Sequence, residues 1–557
     1  MSEQPETSPS VSQWLRWIGP AVFAVALLIR LMGIQWGLPD ATKQFSLHPD
    51  EPIILAYARQ INLAEGKLDP GFYNYGTLYL TTLNFASKVV AAYAAPDATD
   101  RNAHLAGRVI SALAGAGLAW LVVVALRRMG VGAIGAAVGG LSIAFSPALV
   151  VHSRFQTVDM LAVFLLMAGL VYALRWCYPI DGIDPSPNRT AVWAGLLVGL
   201  SAGTKYTGIL GLLALGLMAW TLAPTVRWKT LGTALATCMA GFFIGTPGLI
   251  LNFSKFKVDF KYEMAHTSTG HGLVFMATPS GFEMHFTNLL MGLGGIAVLM
   301  GGAGLIWMCI KRVPGALALV LFGLAYYILI GRAEVKFMRY VFPLIPLLSI
   351  GLGWLVHHAH VAGGKLRVTL VPLSFLALAG FGSGGLAGAA AETVWMQGED
   401  PRDAAAGLLR KEGVGKTVGI VSDAWFYTPT LWPTSAAPRP IPFASRLEFQ
   451  SQTNNPKVVQ YIPPDGLDAR KPWAPELIDE VAPDFIVISS FELEDVERIW
   501  NAGIDKSPEA EWNRAERFMK RLAEQYTPYR VFGPAKPSVH DMEYTHPTVR
   551  IWKRTKT

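Results

Sequence analysis

Little of what marks a water-soluble domain is present in this chain of 557 residues. Charged residues make up only 16%, against roughly 25% in soluble domains. That deficit excludes a water-exposed surface over most of the chain. Cysteine is nearly absent. Cys177, Cys238 and Cys309 all fall in or beside apolar runs, so no disulfide framework can hold the C-terminal region. The opening stretch MSEQPETSPSVSQ has no Lys or Arg, which argues against a cleaved signal peptide and for a retained first anchor. No D-x-D occurs, no His spacing matches a strong ligand motif, and there is no nucleic-acid-binding motif, internal repeat or low-complexity tract. No cofactor is called for, and a divalent metal is the less favoured option.

What is present is apolar. Hydrophobic residues reach 52%, and mean hydropathy is +0.34. Apolar runs near 18–36, 105–126, 131–151, 158–178, 191–203, 207–223, 231–251, 286–310, 313–331, 340–356 and 368–389 predict a polytopic α-helical membrane protein of about eleven spans. With the N-terminus (1–17) cytoplasmic, the loops holding Arg127, Arg175, Arg227, Lys311 and Lys365 all fall inside, as the positive-inside rule asks. The formal charge of +7 then belongs to those loops, not to a nucleic-acid surface. One decision fixes this count. Residues 191–220 read as one long helix would centre Lys205 in the bilayer, at a cost of at least a few kcal/mol. Two short spans meeting at GTKY avoid that cost and bring Lys205 and Tyr206 to the outer face.

The domains expected are the tail 1–17, a membrane domain 18–389 with a long first outer loop 37–104, and an extracytoplasmic domain 390–557. The last alternates helix and strand. DPRDAAAGLLRKEG reads as an amphipathic helix, TVGIVS and APDFIVISS as buried strands, AEWNRAERFMKRLAEQY as a helix and TVRIWKR as a closing strand. The pattern indicates a small α/β domain.

Ionisable residues gather at the expected outer face. His48, Asp50 and Glu51 follow the first span, bracketed by Pro49 and Pro52. An acid before Pro is good helix-start chemistry, so a solvated loop would explain them. A structured loop rich in Tyr and Phe (DPGFYNYGTLYL) favours function instead. Arg154 and Asp159 bound RFQTVD. A snorkelling arginine and an acid at a helix N-terminus would account for both. Arg332, Lys336 and Arg339, with Glu334, place three cations outside. Binding of an anionic headgroup or a catalytic phosphate site would account for them. Arg30 lies within the first span, and His266, His271 and His285 are outer.

HPDE, RFQTVD, GLSAGTKYTGIL and RYVFPLIPLLSIGLGWL, in that order and followed by an α/β tail, resemble the polyprenyl-phosphate-sugar glycosyltransferases of the GT-C class. The nearest group is the family 39-like one of dolichyl-phosphate-mannose protein mannosyltransferases and the aminoarabinose transferase of lipid A. The resemblance implies an enzyme of the plasma or inner membrane that takes a lipid-linked sugar monophosphate and works on the outer side. It implies an acceptor protein, lipid or glycan, with Asp50 as catalytic base and Glu51 beside it. Where many members carry aromatic or His residues after the acidic pair, this chain has Pro52. The chemistry agrees. Inverting transfer needs one base, where a glycosidase needs two carboxyls. The departing phosphate needs cations, and Arg154, Lys205, Lys336 and Arg339 are available, with His48, Asp159 and Tyr206 as further substrate contacts. The alternatives are a diphosphate-linked glycan polymerase or ligase, and a transporter or flippase. Transporters place charges at the midplane within internal repeats, a pattern not seen in this sequence.

Overall fold

The computed structural model describes residues 9–555 apart from 41–42, 44, 94–98, 181–183, 381–383, 432–455, 467–468, 505–506, 508 and 536–538. The first half of the expected 1–17 tail therefore lies outside the described residues. The chain divides into two compact units. One comprises residues 1–34, 57–265 and 280–393, the other 35–56, 266–279 and 394–557. The expected first outer loop is thus shared, with 35–56 folding among the tail.

The first unit is helical. Its elements run α1 (Pro9–Leu31), α2 (Asp50–Ala58, which ends in it), α3 (Leu78–Ala91), α4 (Thr99–Arg128), α5 (Ala133–Ala144), α6 (Pro147–His152), α7 (Asp159–Cys177), α8 (Pro187–Ala202), α9 (Gly211–Ala219), α10 (Pro224–Gly245), α11 (Gly248–Leu251), α12 (Phe253–Thr269), α13 (Gly281–Leu293), α14 (Gly295–Ile310), α15 (Ala316–Gly331), α16 (Ile345–Ala362), α17 (Gly364–Ala379) and α18 (Gly385–Gln397). Among the described residues three helices are long and apolar enough to cross a membrane: 100–128, 159–177 and 345–362. A fourth candidate is α13 with α14, bent by 108° at Gly294, whose φ of +106° only glycine adopts readily. Four shorter apolar helices accompany them. These helices do not establish the eleven spans expected, and several of the apolar runs are broken where a single span was expected. Ser146–Pro147 divides 131–151, and Gly294 divides 286–310.

Glycines set the closest helix pair. Gly195 and Gly199 of α8, with Gly203 that caps it, recur every fourth residue and face α10. A Cβ on Gly199 would lie 2.0 Å from the Cys238 carbonyl oxygen, and one on Gly195 would lie 2.3 Å from that of Ala234. Small residues at this spacing let helix backbones touch where apolar lipid offers no hydrophobic drive. Gly199→Val is expected to cost about 1–3 kcal/mol through overpacking. Gly216→Ala, with nothing within 4 Å, should leave the thermal midpoint in nanodiscs unchanged.

The second unit is built on a five-stranded sheet of order β2-β1-β3-β5-β4. Its strands are β1 (Thr417–Ile420), β2 (Lys457–Val459), β3 (Phe485–Ser489), β4 (Tyr526–Phe532) and β5 (Val549–Arg554). β1 pairs in parallel with β2 and β3, and β5 is antiparallel to β3 and β4. β3 is buried on both faces, so it reads as an unbroken apolar run. Phe485 and Val487 pack with Ala405, Ala406 and Leu409 of α19 (Pro401–Glu412), while Ile486 and Ile488 pack with Leu493, Phe518 and Leu522. The expected helices 401–412 and 511–525 and the strands at 417–420, 485–489 and 549–554 are all present.

Side chains explain why 35–56 and 266–279 fold with the tail. Lys43 bridges Asp40 and Asp403, at 2.7 and 3.1 Å. The Trp36 indole donates to Asp400 at 3.1 Å. Arg498 donates to the carbonyls of Val274 and Met276, at 2.8 and 2.7 Å. Arg402 is fully buried, forks onto Asp400 at 2.7 and 2.6 Å, and donates to the carbonyls of Phe426 and Tyr544.

Two buried carboxyls in this unit give it a pH signature. Burial pushes Glu492 up to about 7, against the Ser422 hydroxyl and Ser489 N–H that stabilise its anion. Burial and the neighbouring Glu494 and Asp495 push Glu543 up to about 8, partly opposed by the Ser490 hydroxyl and Arg402. Both acids hold a proton in the folded state that the unfolded chain releases near pH 4.5. The stability these two acids contribute is therefore fully present below that value and is lost as pH rises through about 7 and about 8. Each pKa unit of separation is worth about 1.4 kcal/mol, so the loss is on the order of a few kcal/mol. Glu543→Gln should shrink the fall in Tm between acidic and mildly alkaline buffer.

Candidate active site

In the first unit the site begins where α8 stops. The Gly203 carbonyl accepts from the Leu78 N–H at 3.0 Å, and the Thr77 hydroxyl donates to the Gly245 carbonyl at 2.9 Å. The chain after α8 is thereby tied to residues 76–78. A Cβ on Gly76 would lie 2.0 Å from the Gly203 oxygen. Lys205 follows in extended backbone, before a short 3-10 turn at Tyr206–Leu210. The long helix through Lys205 does not form, as its charge required.

The Lys205 ammonium donates to Asp159 at 2.6 Å and stands 4.8 Å from the Tyr340 ring centre. Asp159 opens α7, where the helix dipole also favours its charge. Asp159, Lys205 and Arg339 line one small cavity with Ser201, Thr207 and Tyr326. The guanidinium of Arg339 lies 4.2 Å from the Phe337 ring centre. Glu263, on α12, joins this electrostatic group. Burial raises its carboxyl above the usual range, and Lys205 and Arg339 draw it partly back. The sequence reading missed Glu263. Its only signal was the i, i+4 spacing from Asp259 on an otherwise ordinary polar helix.

The other expected cations sit differently. Arg154 is fully buried and donates to the Ile29 carbonyl at 2.7 Å and to Thr393 at 2.6 Å. Arg30 lies beside Ser153, donating at 3.0 Å, and reaches the Ile143 carbonyl at 3.1 Å. It faces the helix bundle instead of snorkelling. Lys336 is buried, 3.4 Å from Glu334. The Tyr206 hydroxyl donates to the carbonyls of Tyr73 and Tyr75, at 2.6 and 3.1 Å. It therefore holds the aromatic loop DPGFYNYG in place. Tyr73 in turn donates its hydroxyl to Asp69 and its N–H to Asp259, the latter at 2.9 Å.

Asp50 and Glu51 belong to the second unit. They open α2, as the Pro-bracketed acids predict. The Asp50 N–H donates to His48 Nδ1 at 3.2 Å, which leaves the His48 proton on Nε2. The His48 ring meets Tyr544 edge-on at 5.0 Å. Glu51 is fully buried and accepts the Ser46 hydroxyl. Asp50 is half-buried. The two neighbours thus differ sharply: one carboxylate is enclosed and the other is reachable. Among the described residues, no group of three His, Cys, Asp or Glu side chains could hold a metal ion.

The fold matches known structures. An oligosaccharyltransferase, AglB from Archaeoglobus fulgidus, solved with an inhibitory peptide and a dolichol-phosphate, is 13% identical with a TM-score of 0.51. The match covers 95% of this chain and 74% of that one. The apo form from the same organism gives 14% and 0.50 over 94% and 74%. ArnT from Cupriavidus metallidurans is 15% identical over 97% and 98%, with a TM-score of 0.49. The architecture is that of the GT-C membrane proteins. By sequence, the profile of glycosyltransferase family 87 matches residues 95–349, somewhat under half of the chain. No curated protein matches it by sequence. The chain thus carries a glycosyltransferase family profile on the GT-C membrane-protein fold.

Proposed function

We propose that the protein moves a sugar from a polyprenyl-monophosphate donor to an acceptor hydroxyl on the outer membrane face, with inversion. Asp50 takes the proton from the acceptor hydroxyl. The acceptor oxygen bonds to the anomeric carbon as the bond from that carbon to the phosphate oxygen breaks. The phosphate leaves with one more negative charge, and Lys205 and Arg339 balance it. No metal takes part. The observation that carries this reading is the joint lining of one small cavity by Lys205 and Arg339, in a chain otherwise poor in charge. The dolichol-phosphate bound to AglB supports a prenyl phosphate as the ligand class. On this reading the N-terminus is cytoplasmic and the C-terminal region 390–557 is extracytoplasmic.

The test is transfer by the purified chain in nanodiscs, with a panel of radiolabelled polyprenyl-monophosphate sugars and with or without EDTA. Release of polyprenyl phosphate that EDTA does not slow is the expected result. Turnover only with diphosphate-linked glycans would replace this donor class by the polymerase reading.

A further inference from the structure

The second unit contains a pocket of about 590 Å³ that plays no part in the mechanism above. Its size is that of a small-molecule site. Its place is set by topology. β1 has β2 on one side and β3 on the other, all parallel. The chain therefore leaves β1 for one neighbour and returns to the opposite one. In open α/β sheets ligands bind outside the carboxyl ends of the strands at such a reversal. The lining residues follow that rule: Ser422 and Asp423 directly after β1, Gln460 directly after β2, and Phe491 and Glu492 directly after β3.

The lining excludes the ligand such crevices most often take. Asp423, Asp495 and Glu511 outnumber Arg470 and Lys471, and those two cations are already held by Asp423 and Glu509, at 2.9 and 3.1 Å, which disfavours nucleotides and other phosphates. What remains are neutral or paired hydrogen-bonding groups. Arg470 is held by Asp423 at 2.9 Å and by Gln460 at 3.0 Å. This places a guanidinium, a carboxylate and an amide side by side, offering both donors and acceptors. Tyr427, Trp473 and Phe491 supply aromatic surface. Adjacent hydroxyl groups on a ring with apolar C–H faces match that mixture.

We propose that this pocket binds a neutral saccharide. That the saccharide is the acceptor glycan rests on the transferase reading above; the binding itself does not. The test is saturation-transfer NMR on the full chain in lipid nanodiscs, which avoids detergents with sugar headgroups. The probes are methyl glycosides and disaccharides of mannose, glucose, galactose and arabinose. At least one should receive saturation, reduced about fivefold or more by Asp423→Ala and by Gln460→Ala, the weight of one or two lost hydrogen bonds. Asp50→Asn should leave the signal intact, so loss of sugar transfer and loss of binding are read separately. No signal from any probe in protein with the normal melting profile would overturn the proposal. So would a signal that neither variant moves, or an equal one from a sugar 6-phosphate.

Discussion

Asp50→Asn is expected to lower sugar transfer by about 10²–10⁴-fold, the usual contribution of a positioned general base. The substitution keeps the shape of the side chain and the N–H bond to His48 Nδ1, but the amide cannot accept the acceptor's proton. The loss should appear in kcat with little change in the KM for donor, because on the proposed reading Asp50 acts on the acceptor in the transition state. Glu51→Gln separates the two carboxyls. Glu51 is enclosed and accepts the Ser46 hydroxyl, so its amide variant should lower Tm more than it lowers the rate. Full turnover in Asp50→Asn together with a dead, well-folded Glu51→Gln would transfer the base role to Glu51.

Lys205→Met should reduce kcat by about 10²–10³-fold, the scale of losing one electrostatic contact to developing charge. A purely structural role is the rival explanation, because removing the ammonium leaves Asp159 buried without its 2.6 Å ion pair. A double-mutant cycle distinguishes the two. If the pair only holds the fold, Lys205→Met with Asp159→Asn recovers both Tm and activity, since no uncompensated charge is left. If Lys205 balances the departing phosphate, the double variant recovers Tm but stays slow. Lys205→Arg, which keeps the charge, should retain part of the rate.

How much of this was legible in the sequence follows from the range of each interaction. The tail was readable because α19 and β3 carry local patterns: an amphipathic period for Pro401–Glu412, and an apolar run for Phe485–Ser489. β2, with three residues, and the helix Ser490–Asn501, which starts directly where β3 ends, were missed. A three-residue strand has no period, and the helix has no loop to announce it. The break at Lys205 was legible through the cost of a charge in lipid. The bend at Gly294 was not, since glycine is as apolar within a helix as at its end. The pairing of Lys205 with Asp159 crosses 46 residues, and no local pattern encodes it. Glu51's enclosure by Ser46 spans only five residues, yet depended on a packing that neither residue type announces.

The shortness of α8 bears on the bilayer itself. Its 16 residues rise about 24 Å, several ångströms less than the hydrocarbon thickness of about 30 Å. Read as the membrane-crossing segment that the sequence predicts, a helix this short would draw the two leaflets together around it. The lipid–water boundary would then be lowered locally toward Lys205, which follows the end of α8. On the proposed reading a prenyl-phosphate headgroup would meet the ammonium without leaving its own leaflet, and transfer is expected to vary with the acyl-chain length of the nanodisc lipid.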